Sequence, residues 1–188
     1  MAKDRRHTFL FSDLVGFTAL TEANGDNHAA ELALDFYDRV RGLLPDHGGE
    51  EVKTIGDAMM LRCDEAEAGI WLGLRIVSAL EAVPGFPPVR VGMDTGPAAH
   101  RAGDWYGATV NVAARLCAAA GGGQVLVSES TERAARRLRK IELGERELHW
   151  LKNVTEPVPA RAMYQRECRF VSRPLRTLGR FDLSGARS

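Results

Sequence analysis

This 188-residue chain lacks the residues and patterns that announce several common chemistries. Its three cysteines, Cys63, Cys117 and Cys168, are odd in number, widely spaced and in no CxxC pair. That argues against a disulfide framework and a zinc site, and it points to free thiols in a reducing compartment. The five histidines are equally scattered, with no HExxH or HxxxH spacing. Charge of one sign is not in excess, since 25 Lys plus Arg balance 25 Asp plus Glu. A neutral chain has no net pull toward nucleic acid or an anionic membrane, so any anion site must be built locally. No run approaches the roughly 18 apolar residues that a membrane span needs. The opening MAKDRRHTFLFSD has basic residues but too short an apolar stretch for a signal peptide. Repeats, low-complexity stretches and the phosphate-binding GxxxxGK[ST] pattern are also missing. The expectation is a cytoplasmic protein with no membrane segment and no nucleic-acid partner.

Apolar residues make up 45% of the chain and charged residues 27%, which suits an ordinary globular protein. The length fits one domain with some chain left over. TFLFS at 8–12 is a short apolar run ending at Asp13, the pattern of a buried strand. Ala29, Leu32, Ala33, Phe36, Val40, Leu43 and Leu44 then form a helical stripe, closed by DHGGE with its glycine stop. EEVKTIGDAMMLRC reads as two strands joined at Ile-Gly-Asp-Ala. Asp64 is expected to cap a second helix bearing Ile70, Leu74, Val77 and Leu80, and PPVRVGMDTG is a fourth strand.

Strand, helix, strand, strand, helix, strand is the βαββαβ unit of a ferredoxin-like α+β fold. A Gly-containing segment (PAAHRAGDW), a helix (YGATVNVAARLCAAA) and a strand (QVLVS) follow. A helix near 129–138 and closing strands near 139–143, 147–151 and 160–165 complete the domain, taken as 1–165. From Arg166 the chain carries six arginines against two acids with no clear period, which reads as a tail over 166–188.

In a ferredoxin-like sheet the first and second strands are parallel, so their C-terminal ends share an edge. Asp13 ends the first strand and Asp57 sits in the turn after the second, so two carboxylates 44 residues apart should meet. Singly, each would be a cap or turn residue. Together they suit a hard divalent cation such as Mg²⁺, which takes one or two carboxylates and lets substrate phosphates complete its shell. Two such ions can hold both oxygens of an in-line displacement at phosphorus.

LVGFTAL follows Asp13 directly, and exposed N–H groups between a strand end and a helix start favour phosphate. Asn111 and Arg115 lie four residues apart on the later helix, so both project from one face. Arginine forks onto phosphate oxygens and suits charge that grows in a phosphoryl transition state, although a polar helix face would look the same. Lys53 and Asp104 would ordinarily face solvent. As a pair they supply a donor and an acceptor, which match the N1 and N6 of adenine and mismatch the O6 of guanine.

These segments, taken together, resemble the class III adenylate and guanylate cyclase family. FSDLVGFTALTE is similar to its first metal segment, VKTIGDAMM to its second, VRVGMDTG to its fourth-strand segment and DWYGATVNVAARL to its transition-state helix. LKNVTEPVPARAMY resembles its closing hairpin, with LKN where LKG is common. The resemblance covers about residues 7–165. It implies that Asp13 and Asp57 bind two Mg²⁺ or Mn²⁺ ions, with the Leu14 carbonyl helping. Phe17, Thr18 and Arg90 would hold the triphosphate of ATP, with Lys152 touching phosphate. Lys53 and Asp104 would read adenine, Asn111 would orient the ribose and Arg115 would stabilise the transition state.

The resemblance further implies a homodimer with shared sites. Asp13 and Asp57 would come from one protomer, and Lys53, Asp104, Asn111 and Arg115 from the other. The competing readings are a guanylate or mixed-specificity cyclase, or a silent nucleotide-binding module that regulates a partner. A diguanylate cyclase would need GGDEF or GGEEF at the hairpin, where this chain has TIGDA.

Overall fold

The computed structural model describes residues 5–135 and 138–165. The arginine-rich stretch 166–188 therefore lies outside the described residues. Strand β1 (Arg6–Leu14) buries Phe9, Leu10, Phe11 and Leu14 on both faces, which is why its sequence is a continuous apolar run. A short helix α1 (Phe17–Asn24) leads into α2 (Asp26–Leu43), which turns Ala29, Ala33, Phe36, Tyr37 and Val40 inward. Strands β2 (Gly49–Ile55) and β3 (Ala58–Cys63) form the expected hairpin, followed by α3 (Ala66–Glu81) and β4 (Val89–Pro97).

The remainder comprises β5 (Ala99–Arg101), β6 (Asp104–Tyr106), α4 (Ala108–Ala119) and β7 (Val125–Ser128). Helix α5 (Glu129–Ala134) and strands β8 (Ile141–Leu143), β9 (Glu147–His149) and β10 (Val158–Gln165) complete it. The main sheet runs β2-β3-β1-β4-β7-β10-β8, with β9 also on β10. Both β1 and β2 are antiparallel to β3, so they point the same way and the ferredoxin-like order holds. The class is α+β, as expected.

The two faces of the sheet carry different cores. Leu10, Leu14, Met59, Leu61, Val91 and Met93 pack with Phe36 and Val40 of α2 and with Ile70, Leu74 and Val77 of α3. Phe9, Phe11 and Met60 face the other way, against Val110, Ala113 and Cys117 of α4. Helix α4 lies so close to β4 that a Cβ on Gly92 would sit 1.9 Å from the Cys117 nitrogen. Only glycine permits that approach.

Three expectations are corrected. Asp64 does not cap α3: Glu65 is the N-cap residue, with no side-chain cap. Arg5, His7 and Arg62 hold the Asp64 carboxylate instead, and these ion partners outcompete the helix N–H groups. Helix α5 stops at Ala134 rather than near 138, with Ser128 capping it by accepting from the Thr131 N–H at 3.2 Å. The Gly-containing segment PAAHRAGDW, given no strand in the sequence reading, with Tyr106 forms the β5–β6 hairpin. Its turn residues Ala102 and Gly103 both have positive φ (50° and 80°), as a type I′ turn requires.

Candidate active site

Asp13 stands one residue from the end of β1, in register with Ala58 of β3 on one side and Arg90 of β4 on the other. Asp57 immediately precedes Ala58, so the register alone carries it to Asp13. Their proximity is visible electrostatically. Burial pushes the Asp57 carboxyl above the usual carboxylate range, and the charge and hydrogen bonding of Asp13 push it further. The Asp57 backbone N–H and the more distant Arg90 oppose the shift without cancelling it.

Arg90 is engaged with the pair rather than free. Its Nε and Nη2 donate to Asp13 Oδ2 at 2.8 and 2.5 Å, and its Nη1 donates to the Ala118 carbonyl at 3.0 Å. Leu14 is buried beside them at the strand end. Gly16, at φ 80°, then opens α1 with no side-chain cap. The first helical bond runs from the Leu20 N–H to the Gly16 carbonyl, so the N–H groups of Phe17, Thr18 and Ala19 have no partner within the helix. They follow the carboxylate pair directly in sequence and form an anion-favouring terminus.

Lys53 and Asp104 are in direct contact, a pairing the sequence does not announce. Lys53 Nζ donates to Asp104 Oδ2 at 2.5 Å, while Asp104 Oδ1 accepts from the Trp105 N–H at 2.8 Å. The Lys53 ammonium, and then the Trp105 N–H, hold the Asp104 carboxyl below its usual range. The hairpin carrying Asp104 is anchored by Trp105, whose ring lies 4.7 Å from His7 and 5.5 Å from Phe9, with the Arg62 guanidinium 5.4 Å above it.

Side chains alternate along a strand, so Asp13 shares the face of Phe9 and Phe11, and Lys53 shares the face of its register partner Met60. The carboxylate pair and the lysine–aspartate pair therefore lie on one side of the sheet, the side that carries α4. Asn111 and Arg115 are exposed on α4, while Val110, Ala113, Leu116 and Cys117 of the same helix are buried. Unlike Arg90 and Lys53, Arg115 joins no ion pair among the described residues.

Lys152 is not brought into this group by any described contact; it is exposed in the turn before β10. Its neighbour Asn153 has φ 62°. Asparagine tolerates this left-handed conformation, so it can fill the place where LKG would put glycine. Among residues that sequence reasoning passed over, Tyr37 donates its hydroxyl to the Gly56 carbonyl, beside Asp57. The one signal was a polar tip within the apolar stripe of α2.

Residues 2–155 match the family model of the adenylate and guanylate cyclase catalytic domain. The chain belongs to that family. A pH-sensitive adenylate cyclase of Mycobacterium tuberculosis is 40% identical over 133 residues, which is 69% of this chain and 32% of that protein. An adenylate cyclase of Streptomyces coelicolor is 34% identical over 142 residues, or 76% of this chain and 37% of that protein. This cyclase domain thus spans about a third of the length of these relatives. Among solved structures, an adenylate/guanylate cyclase/hydrolase from Silicibacter pomeroyi is 28% identical with a TM-score of 0.74, covering 85% of this chain and 96% of that one. The guanylate cyclase domain of a Catenaria anguillulae protein in complex with GTP shares the fold at 21% identity and a TM-score of 0.77, covering 88% and 100%. Among the described residues, no helix is long and apolar enough to cross a membrane.

Proposed function

We propose that the domain is an adenylate cyclase, converting ATP to 3′,5′-cyclic AMP and pyrophosphate at sites shared by two copies of the chain. One observation carries the reading: the Asp13–Asp57 pair and the Lys53–Asp104 pair occupy the same face of one sheet. The adenylate cyclases among the relatives support ATP as substrate.

The donor set fits hard divalent cations. Two carboxylates lie side by side, and burial, reinforced by the Asp13 charge, raises the Asp57 carboxyl above its usual range. No cluster of three or more His, Cys, Asp or Glu is found among the described residues, so Leu14 carbonyl, phosphate and water oxygens would complete the shells of two Mg²⁺ or Mn²⁺ ions. When bound, such ions would lower the pKa of the attacking 3′-hydroxyl and neutralise the triphosphate and its leaving group.

The remaining work falls to the chain. The N–H groups of Phe17 and Thr18 hold phosphate oxygens, together with the Arg90 N–H bonds that Asp13 and the Ala118 carbonyl leave over, and Lys152 of the closing turn is a further phosphate contact. Lys53 donates to adenine N1 and Asp104 accepts from N6; guanine would set its O6 against the Asp104 carboxylate. Asn111 orients the ribose. Arg115 meets the charge that develops on the transferring phosphoryl group. Exposed Asn111 and Arg115 support the shared-site arrangement. So do the exposed apolar side chains of Ile55, two residues before Asp57, and Tyr106, two after Asp104. An isologous dimer then holds two equivalent sites. The test is turnover of ATP against GTP with Mn²⁺: cyclic AMP as the main product supports the reading, and a preference for GTP or no cyclisation of either contradicts it.

A further inference from the structure

The β2–β3 turn that presents Asp57 is a two-residue hairpin closed by the Ile55–Ala58 pair. Gly56 takes φ 61°, so the turn needs glycine at its first central position. In so short a turn the Gly56 carbonyl has no ladder partner. It is met from the next layer by the hydroxyl of Tyr37, a residue of α2.

Tyr37 is itself held firmly. It is 9% exposed, its ring centroid is 5.8 Å from that of Phe36, and the Arg41 guanidinium lies 5.7 Å over its face. Arg41, one helical turn on, forks onto Glu51 of β2 at 2.7 and 3.0 Å. Helix α2 thus grips the β2–β3 hairpin at two points, Glu51 of β2 and the turn peptide that joins Gly56 to Asp57.

We infer that Tyr37 is a positioning residue for the candidate metal site: its hydroxyl, donated to the Gly56 carbonyl, fixes the Gly56–Asp57 turn and keeps the Asp57 carboxylate beside Asp13. The inference rests on the proposed metal-binding role of Asp57. Its chemistry is that of an outer-shell partner, which orients a ligand without touching the ion. Tyr37 touches neither nucleotide nor reacting atoms in this scheme.

The test uses Tyr37→Phe, which keeps the ring and removes the hydroxyl, with Ser128→Ala at the α5 cap as a distant destabilising control. Two readouts are taken: amide hydrogen exchange at Gly56–Ala58 without metal, and Mn²⁺ binding by titration calorimetry. The expected result is faster exchange confined to the turn and Mn²⁺ binding weaker by roughly tenfold. Saturating Mn²⁺ should restore kcat, with the KM for ATP little changed. The control should lower Tm and leave both readouts alone. Unchanged exchange in Tyr37→Phe, or an equal Mn²⁺ effect in Ser128→Ala, overturns the inference. If the wild-type chain binds no Mn²⁺, the metal reading fails and the consequence drawn for Asp57 fails with it, while the exchange readout still judges the tether.

Discussion

Arg90 donates through Nε and Nη2 to a single carboxylate oxygen of Asp13, across neighbouring strands. This ion pair neutralises one member of the carboxylate pair and leaves the other, Asp57, short of compensating charge. The guanidinium occupies the position of a cation partner, and a divalent ion at the proposed metal site would compete with it for Asp13.

Arg90→Met should therefore separate stability from metal affinity. The pair is largely buried, at 26% and 16% side-chain exposure, so its loss should destabilise the metal-free fold by about 1–3 kcal/mol. Mn²⁺ should restore more stability to the variant than it adds to the wild type, and the KM for ATP should rise. Thermal denaturation with and without Mn²⁺ checks the first point and steady-state kinetics the second.

Asp57→Asn should stabilise the metal-free protein at neutral pH while abolishing turnover. The folded-state pKa of Asp57 is raised, so its carboxyl favours folding fully only below the ordinary carboxylate pKa of about 3.9. That contribution is lost as pH rises through the raised value. The amide carries no charge and escapes the penalty. Tm measured in EDTA should be higher for the variant at pH 7, with the gap closing toward pH 4; a variant less stable than wild type at pH 7 would contradict the electrostatic reading.

How much of this site was legible in the sequence depended on what held each part. The Asp13–Asp57 meeting followed from the order of elements, because two strands antiparallel to a third must end together. The Asp64 cap was misread because its competitors Arg5 and His7 lie more than 50 residues away in sequence. The β5–β6 hairpin was invisible for two reasons. Its strands have three residues each, and its turn places Ala102 where Asn, Asp or Gly gives the usual signal. Packing of Trp105 against His7, Phe9 and Arg62, a tertiary effect, supplies what local propensity does not.

Lys53→Ala should erode base selectivity more than catalysis. Removing one half of a donor–acceptor pair should narrow the ATP-over-GTP ratio of kcat/KM by about 10–100-fold. Competition between the two nucleotides in one assay measures this directly, and an unchanged ratio would remove Lys53 from base reading.

Gly92→Ala should break the seating of α4. A methyl group cannot share space with the Cys117 backbone, so the helix bearing Asn111 and Arg115 must shift or the fold must loosen. Urea denaturation should report a loss of at least about 2–3 kcal/mol. Turnover should fall even in the folded fraction.

The most direct test of a shared cyclase site mixes two variants that are each inactive, Asp13→Ala and Arg115→Ala. The first removes a proposed metal ligand; the second should lower kcat by about 10³-fold or more with ATP binding largely intact. In their heterodimer one site carries both lesions and the other carries neither. Random pairing should then restore about a quarter of wild-type cyclic AMP production. Heterodimers shown to form, yet no more active than either parent, would contradict the shared site.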